Sequence, residues 1–170
     1  MTRTLLSRIR PGLVAVAVLA ALGSAAASAR APAPLLVNES PSLPRGLYVR
    51  APGALPDRGA IVAIRQPAAA RAYLARLGMP DEVRLIKRVV ATGGDTVCSD
   101  GRRLLVPGRI VAIHARDRAG ADLPRWAGCR RLAPDERLLL GDTPTSFDGR
   151  YFGPVTTTRI EGVYRETLTW

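Results

Sequence analysis

The sequence predicts a mainly β domain that carries one packed helix and follows an N-terminal apolar segment. Three observations support this prediction. Short apolar runs alternate with glycine and proline from about residue 37 onward, one stretch alone has helical signals, and residues 12–29 contain no charge. Such punctuated runs are typical of antiparallel sheets. The apolar content of 47% is enough for a compact core and argues against general disorder.

The helix is predicted over residues 67–77, because Pro67 suits a first helical position and Gly78 suits the position after a helix. Its apolar stripe, expected to pack on the sheet, consists of Tyr73, Leu74 and Leu77. The strand candidates are 46–50, 60–65, 83–91, 95–98, 103–106, 109–114, 137–140 and 159–165.

The N-terminal residues have the pattern of an export or anchor segment. Residues 1–11 are expected to form a basic cytoplasmic flank, 12–29 a transmembrane anchor or signal segment, 30–36 a Pro/Ala tether and 37–170 the exported domain. Ala27-Ser28-Ala29 also fits the small-residue pattern at which secretory signals are cleaved. The domain is therefore expected in the periplasm, either anchored to the inner membrane or released from it.

Cys98 and Cys129 are the only cysteines. In an exported chain such a pair most often forms a disulfide, which here closes a loop of about 30 residues and contributes about 3–4 kcal/mol. Two unpaired thiols are the alternative.

The charge of +11 comes from 24 arginines and a single lysine, Lys87, against 14 acids. A basic envelope module that binds DNA or anionic lipid is one interpretation. The arginines are scattered along the chain, however, so no nucleic-acid partner is expected. One histidine and two cysteines cannot alone complete a structural zinc site, and no phosphate-binding glycine motif occurs. No metal or cofactor is expected.

Lys87 lies in the predicted strand 83–91, where alternate side chains point to opposite faces. Lys87 falls on the face of Val83, Leu85, Val89 and Ala91, whereas Arg84, Ile86, Arg88 and Val90 form a wetter face. A buried lysine tends to lose its proton, which arginine cannot do, so Lys87 is a candidate general base. A lysine that extends its ammonium to the strand edge is the alternative.

Two further segments hold candidate partners. Ser42 lies between Pro41 and Pro44, whose rings stiffen the backbone, and a serine hydroxyl becomes a nucleophile when a base takes its proton. The segment 141–155 follows an apolar strand and contains Ser146, Asp148 and Arg150. Ser146 is a candidate hydrogen-bond partner of the lysine, and the other two are expected to pair and brace the loop. A turn serine and a surface ion pair are the structural alternatives.

Together these segments resemble the boxes of the signal peptidase I superfamily of membrane-anchored Ser-Lys proteases. Residues 42–48 are similar to the S-x-P-x-G-[LI]-Y form of its TraF-type conjugative transfer peptidases. Lys87-Arg88-Val89 with Gly94-Asp95 is similar to the K-R-V…G-D box. The third segment resembles G-D-N-x-x-x-S-x-D-S-R-x-x-G-x-V, with matches at Gly141, Asp142, Ser146, Asp148, Arg150, Gly153 and Val155. Thr143 and Gly149 depart from it, where the box has Asn and Ser.

The resemblance implies an all-β, signal-peptidase-like catalytic domain over residues 37–170, with Ser42 as nucleophile and Lys87 as general base. It implies that Ser146 positions the lysine amine, and that the Ser42 backbone N–H and the Ser40 hydroxyl stabilise the oxyanion. It also assigns supporting roles to Asp142, Asp148 and Arg150.

The implied activity is cleavage of an exported precursor protein, a conjugative pilin or another transfer protein, by hydrolysis or with ring closure. A general signal peptidase I-like leader peptidase is an alternative within the family. A triad of Ser42, His114 and Asp148 is a second enzymatic alternative. A non-catalytic basic envelope module, or an inactive family member that acts as a scaffold, is the non-enzymatic one.

Overall fold

The computed structural model describes residues 32–170, in which residues 34–170 form one compact unit. The predicted flank 1–11 and anchor 12–29 lie outside the described residues. Within residues 32–170, no helix is both long enough and apolar enough to span a bilayer. The strands are β1 Leu35–Asn38, β2 Gly46–Arg50, β3 Ile61–Ile64, β4 Leu85–Ala91, β5 Thr96–Ser99, β6 Arg103–Val106, β7 Arg109–Ala112, β8 Gly128–Arg131, β9 Glu136–Leu140, β10 Val155–Thr156 and β11 Ile160–Thr169. The helices are α1 Ala68–Arg76, α2 Gly149–Phe152 and a 3₁₀ turn at Thr157–Arg159.

Two antiparallel sheets confirm the mainly β prediction. The larger sheet has the order β1-β2-β11-β3-β4-β9-β10, and the smaller has the order β7-β6-β5-β8. The last strand, β11, lies between the β1–β2 pair and the β3–β4 pair. Strand β11 therefore joins the β1–β2 hairpin to the β3–β4 hairpin within the larger sheet.

Strands β3 and β4 are buried on both faces, which differs from the prediction. One core packs around Val62 and Val89, and a second packs around Leu43 and Tyr48 and takes in Ile86. The expected wetter face of β4 was therefore wrong for Ile86 and Val90, which are both buried. Arg84, at 40% side-chain exposure, lies just before the strand, and Arg88, at 32%, is partly exposed.

Helix α1 packs on the larger core through Ala70, Tyr73 and Leu74. Pro67 occupies the N-cap rather than the first helical turn, and Gly78 adopts a positive φ of 72° just after the helix, as its position predicted. Leu77 was wrongly placed in the stripe, because it lies past the helix end and is 55% exposed.

Several elements were missed. Strand β1 begins inside the predicted tether 30–36, and β8, β10 and α2 fall where loops were expected. Cys98 and Cys129 are directly opposite one another on β5 and β8 and are joined by a disulfide in the smaller sheet.

Candidate active site

Ser42 lies in the short connection between β1 and β2, and the side chain of Asn38 holds this connection in place. Asn38 Nδ2 donates to the carbonyl oxygens of Ser40, Leu43 and Pro44 at 3.0, 3.1 and 3.0 Å. Its Oδ1 accepts from the Ser40 backbone N–H at 3.2 Å. These bonds fix the chain on both sides of Ser42, which is only 7% exposed.

Asn38 was given no role from the sequence. An asparagine two residues before a Ser-Pro pair is typical of a turn in which the amide bonds nearby backbone, and that signal could have identified it. A second anchor comes from Tyr48 in β2, whose hydroxyl donates to the Pro44 carbonyl at 2.6 Å. The connection is thus tied to both strands that flank it.

Lys87 enters the site from the middle of β4 and is 4% exposed. Its Nζ lies 3.0 Å from Ser42 Oγ, and it donates to the Ile86 carbonyl at 2.9 Å. Burial lowers the pKa of Lys87 to about 8, an effect that the negative charge of Asp148 partly offsets. The amine can therefore lose its proton near neutral pH while in contact with the hydroxyl.

Ser40 adds a second hydroxyl beside Ser42. The two Oγ atoms are 2.8 Å apart, and the Ser42 backbone N–H donates to Ser40 Oγ at 3.4 Å. The backbone donor and the Ser40 hydroxyl therefore lie together, next to the oxygen that would attack.

Asp148 and Arg150 form a buried ion pair of 3.1 Å, with side chains 0% and 2% exposed, rather than a surface pair. Burial raises the pKa of Asp148, and the positive charge of Arg150 partly offsets this rise. The carboxylate also accepts from the backbone N–H groups of Gly141 and Arg150 at 2.8 and 3.0 Å. Every one of these contacts orders the 141–150 loop from within.

The same loop is fastened to the nucleophile. The Arg150 guanidinium donates to the Thr143 carbonyl at 2.8 Å and to that of Pro144. The Asp142 backbone N–H donates to the Ser42 carbonyl at 2.6 Å. The Asp142 carboxylate accepts hydrogen bonds from both Nε and Nη2 of Arg88, at 3.0 and 2.7 Å. Asp142 therefore links the connection that carries Ser42 to the strand that carries Lys87.

Ser146 lines the cavity that contains Ser42 and Lys87, and it is 3% exposed. Its Oγ has no hydrogen-bond partner within the described residues, so the expected bond to the lysine amine is not made in this structure. A Cβ on Gly141 would collide with the Ser146 side chain and with the Ser42 carbonyl. Only glycine lets this loop approach the nucleophile so closely.

The two departures from the family box have different surroundings. A Cβ on Gly149 would lie 2.6 Å from the Leu139 carbonyl, so this chain has no room for the serine of the box. Thr143 fits, but its hydroxyl is buried and has no partner within the described residues.

His114 does not meet Ser42. It is exposed, and its side chain makes no hydrogen bond within residues 32–170, where Ser42 Oγ contacts Ser40 and Lys87 instead. The structure therefore gives no support to the Ser42–His114–Asp148 triad. No cluster of His, Cys, Asp or Glu in this part of the chain is arranged to hold a metal ion.

Comparison with known proteins gives three results. The family model described as signal peptidase, peptidase S26, matches residues 8–170. Two Escherichia coli proteins, both named plasmid transfer protein TraF, are 35% and 37% identical; the first match covers 98% of each chain, and the second covers 79% of this chain and 82% of the relative. A crystal structure of a signal peptidase I from Enterococcus faecalis V583 is 22% identical with a TM-score of 0.38, covering 65% of this chain and 97% of that one.

Proposed function

This chain belongs to the peptidase S26 family of signal peptidases, and we propose that it cuts exported precursor proteins with a Ser42–Lys87 dyad. The observation that carries the proposal is the 3.0 Å contact between Lys87 Nζ and Ser42 Oγ inside a buried site. A buried amine with a pKa of about 8 costs roughly 1 kcal/mol to deprotonate at pH 7. An ordinary lysine would cost more than three times as much.

In the proposed mechanism, neutral Lys87 takes the proton of Ser42 as Oγ attacks the scissile carbonyl. The Ser42 backbone N–H and the Ser40 hydroxyl donate to the oxyanion that develops. Lys87 then returns the proton to the departing amine, which leaves the precursor's carbonyl carbon bound to Ser42 Oγ. Water, activated by the same amine, releases the product, or an amine of the substrate does so and closes a ring.

The buried pair of Asp148 and Arg150 supports this chemistry indirectly. It shapes the loop whose Asp142 backbone N–H donates to the Ser42 carbonyl. We also propose that Ser146 donates to the lysine amine once substrate excludes water from the cavity, since its hydroxyl is buried there without a partner in the described residues.

The substrate proposal rests on the relatives. Two relatives are named plasmid transfer proteins, and one of them matches this chain over almost its whole length. We propose that the substrate is an exported protein of a conjugative transfer system, such as a pilin precursor. We further propose that residues 12–29 hold or deliver the domain to the periplasmic face of the inner membrane. A reporter enzyme fused after residue 36 should be active in the periplasm, and cytoplasmic activity would contradict this arrangement.

The experiment is processing of a co-expressed pilin precursor by the full chain, read by mass spectrometry. Ser42→Ala and Lys87→Ala should abolish processing, and Ser40→Ala should slow it by about 10²-fold or more through loss of an oxyanion donor. His114→Ala should still process the precursor, whereas loss of processing would favour the Ser42–His114–Asp148 triad over the dyad. Processing that survives the loss of either Ser42 or Lys87 would refute the dyad. A ring product is lighter than the linear one by one water, so the same spectrum identifies the product.

A further inference from the structure

We propose that a second cavity, next to the catalytic one, binds a bulky apolar side chain of the precursor together with a neighbouring acidic residue. This inference rests on the proposed function and adds a specificity site to it. We call the second cavity the aromatic cavity, since Tyr73, Phe147 and Tyr151 line it.

The aromatic cavity adjoins the catalytic cavity. Both are lined by Pro41, Leu77, Thr145 and Phe147, and Pro41 directly precedes the nucleophile. The catalytic cavity has a volume of about 360 Å³, and the aromatic cavity has about 520 Å³. Volumes of about 300–1,000 Å³ are typical of sites that bind ligands. A polypeptide whose scissile bond lies at Ser42 therefore places its neighbouring side chains close to the larger space.

The walls of the aromatic cavity favour a large apolar group. The Phe147 ring lies 4.6 Å from the Tyr73 ring and is stacked 5.4 Å from that of Tyr151, measured between centroids. Leu77 and Leu123 add aliphatic surface. Burial of an aromatic or long aliphatic side chain against this wall would stabilise the bound complex, whereas burial of an alanine would contribute little.

The rim of the aromatic cavity is cationic. Arg116 and Arg118 line it, and Asp117 is its one carboxylate among the described residues. That carboxylate is already engaged, since it accepts from the Tyr73 hydroxyl at 3.0 Å and from the backbone N–H of Ala119 at 2.9 Å.

One arginine on this rim remains without an ion pair and can meet a substrate. Arg116 pairs with Asp122 on the surface, where both side chains are well exposed, and Arg118 has no ion pair within the described residues. An acidic residue beside the apolar side chain would complement this rim, whereas a basic residue would be repelled.

The test uses synthetic peptides and the full chain in detergent. A parent peptide of small residues around the cut is altered by placing Phe at each of three positions on either side, with Asp, Ala or Lys next to it. At one position Phe should raise kcat/KM by about tenfold over Ala, as expected for burying one large apolar side chain. A neighbouring Asp should add about two- to fivefold, which is the range of an exposed charge pair.

Arg118→Glu should reverse the charge preference, so that Lys is favoured over Asp next to the Phe. Arg125→Glu is the matched control, because Arg125 is exposed in the same 113–127 segment but does not line the cavity. It should keep the preference for Asp. An Asp preference that is unchanged in Arg118→Glu, or equal cleavage with Phe at every position, would overturn the inference while leaving the dyad standing. Failure of the wild type to cut any peptide in a Ser42-dependent way would overturn both.

Discussion

Replacement of Lys87 by methionine should stabilise the protein at neutral pH while removing its activity. Methionine has a similar length and no charge, so it fills the same buried position without the cost of a buried ammonium. The pKa of Lys87 is lowered by burial from 10.5 to about 8. The folded protein therefore holds this proton less tightly than the unfolded chain, by about 3 kcal/mol.

The pH dependence follows from the sign of that shift. Because the folded pKa lies below the unfolded one, the wild type gains stability as pH rises from about 8 to about 10.5. Below about pH 8 the buried ammonium lowers the free energy of unfolding by the full amount, and above about pH 10.5 this loss of stability disappears. The stability advantage of Lys87→Met over the wild type should therefore shrink by about 2–3 kcal/mol between pH 7 and pH 10. Loss of the lysine's hydrogen bonds shifts both values equally and does not alter this difference.

The assay is urea unfolding of both full chains in detergent at the two pH values. Arg88→Met is the matched control, since it removes a cation from the next position of β4, and the hydrogen bond to Asp142 raises the pKa of Arg88 further above the window. Its difference from the wild type should stay constant. Both cysteines are in the disulfide, so no free thiol complicates the alkaline measurement. A Lys87→Met advantage that does not change between pH 7 and pH 10 would show that the amine is solvated and would refute the reasoning.

Three other results are expected. The kcat/KM of peptide cleavage should rise about tenfold from pH 7 to pH 9, because the neutral fraction of an amine of pKa about 8 rises from about a tenth to about nine-tenths. A pH profile of kcat/KM that is level above pH 7 would contradict Lys87 as the base. Asn38→Ala should lower the free energy of unfolding by about 2–3 kcal/mol, because its hydrogen bonds to buried carbonyls are lost. Asn38→Asp should be no more stable, because its carboxylate would face the same carbonyl oxygens. An Asp variant as stable as the wild type in thermal unfolding would disprove the Asn38 bonds. Replacing both Cys98 and Cys129 by serine should lower the free energy of unfolding by about 3–4 kcal/mol, because the disulfide closes a 31-residue separation. The kcat measured well below the melting temperature should stay the same. A large drop in kcat would mean that the smaller sheet shapes the active site.

Sequence periodicity predicted the direction of Lys87 but not all of its surroundings. Alternation along β4 placed the lysine on the face of Leu85 and Val89, and these three residues are buried. The same alternation suggested a wet opposite face, and Ile86 is buried there because Tyr48, more distant in the sequence, covers it. The pattern of one strand cannot reveal what packs on its second face.

Other elements have no sequence periodicity that would predict them. Strand β8, Gly128–Arg131, is exposed throughout, and it pairs with β5 at the position of the disulfide, without an apolar face. The short helix α2 has four residues, which is too few for a helical period to show.

The position of β11 has a consequence for the growing polypeptide. The hairpin that holds Ser42 and the hairpin that holds Lys87 are not neighbours, because residues 160–169 lie between them, and the Trp170 amide donates to the Arg45 carbonyl at 3.1 Å. A nascent chain that has emerged only to residue 159 contains every candidate catalytic side chain but lacks the strand that joins the two halves. Proteolytic competence should therefore arise only after residues 160–169 have been translated and have paired with both hairpins.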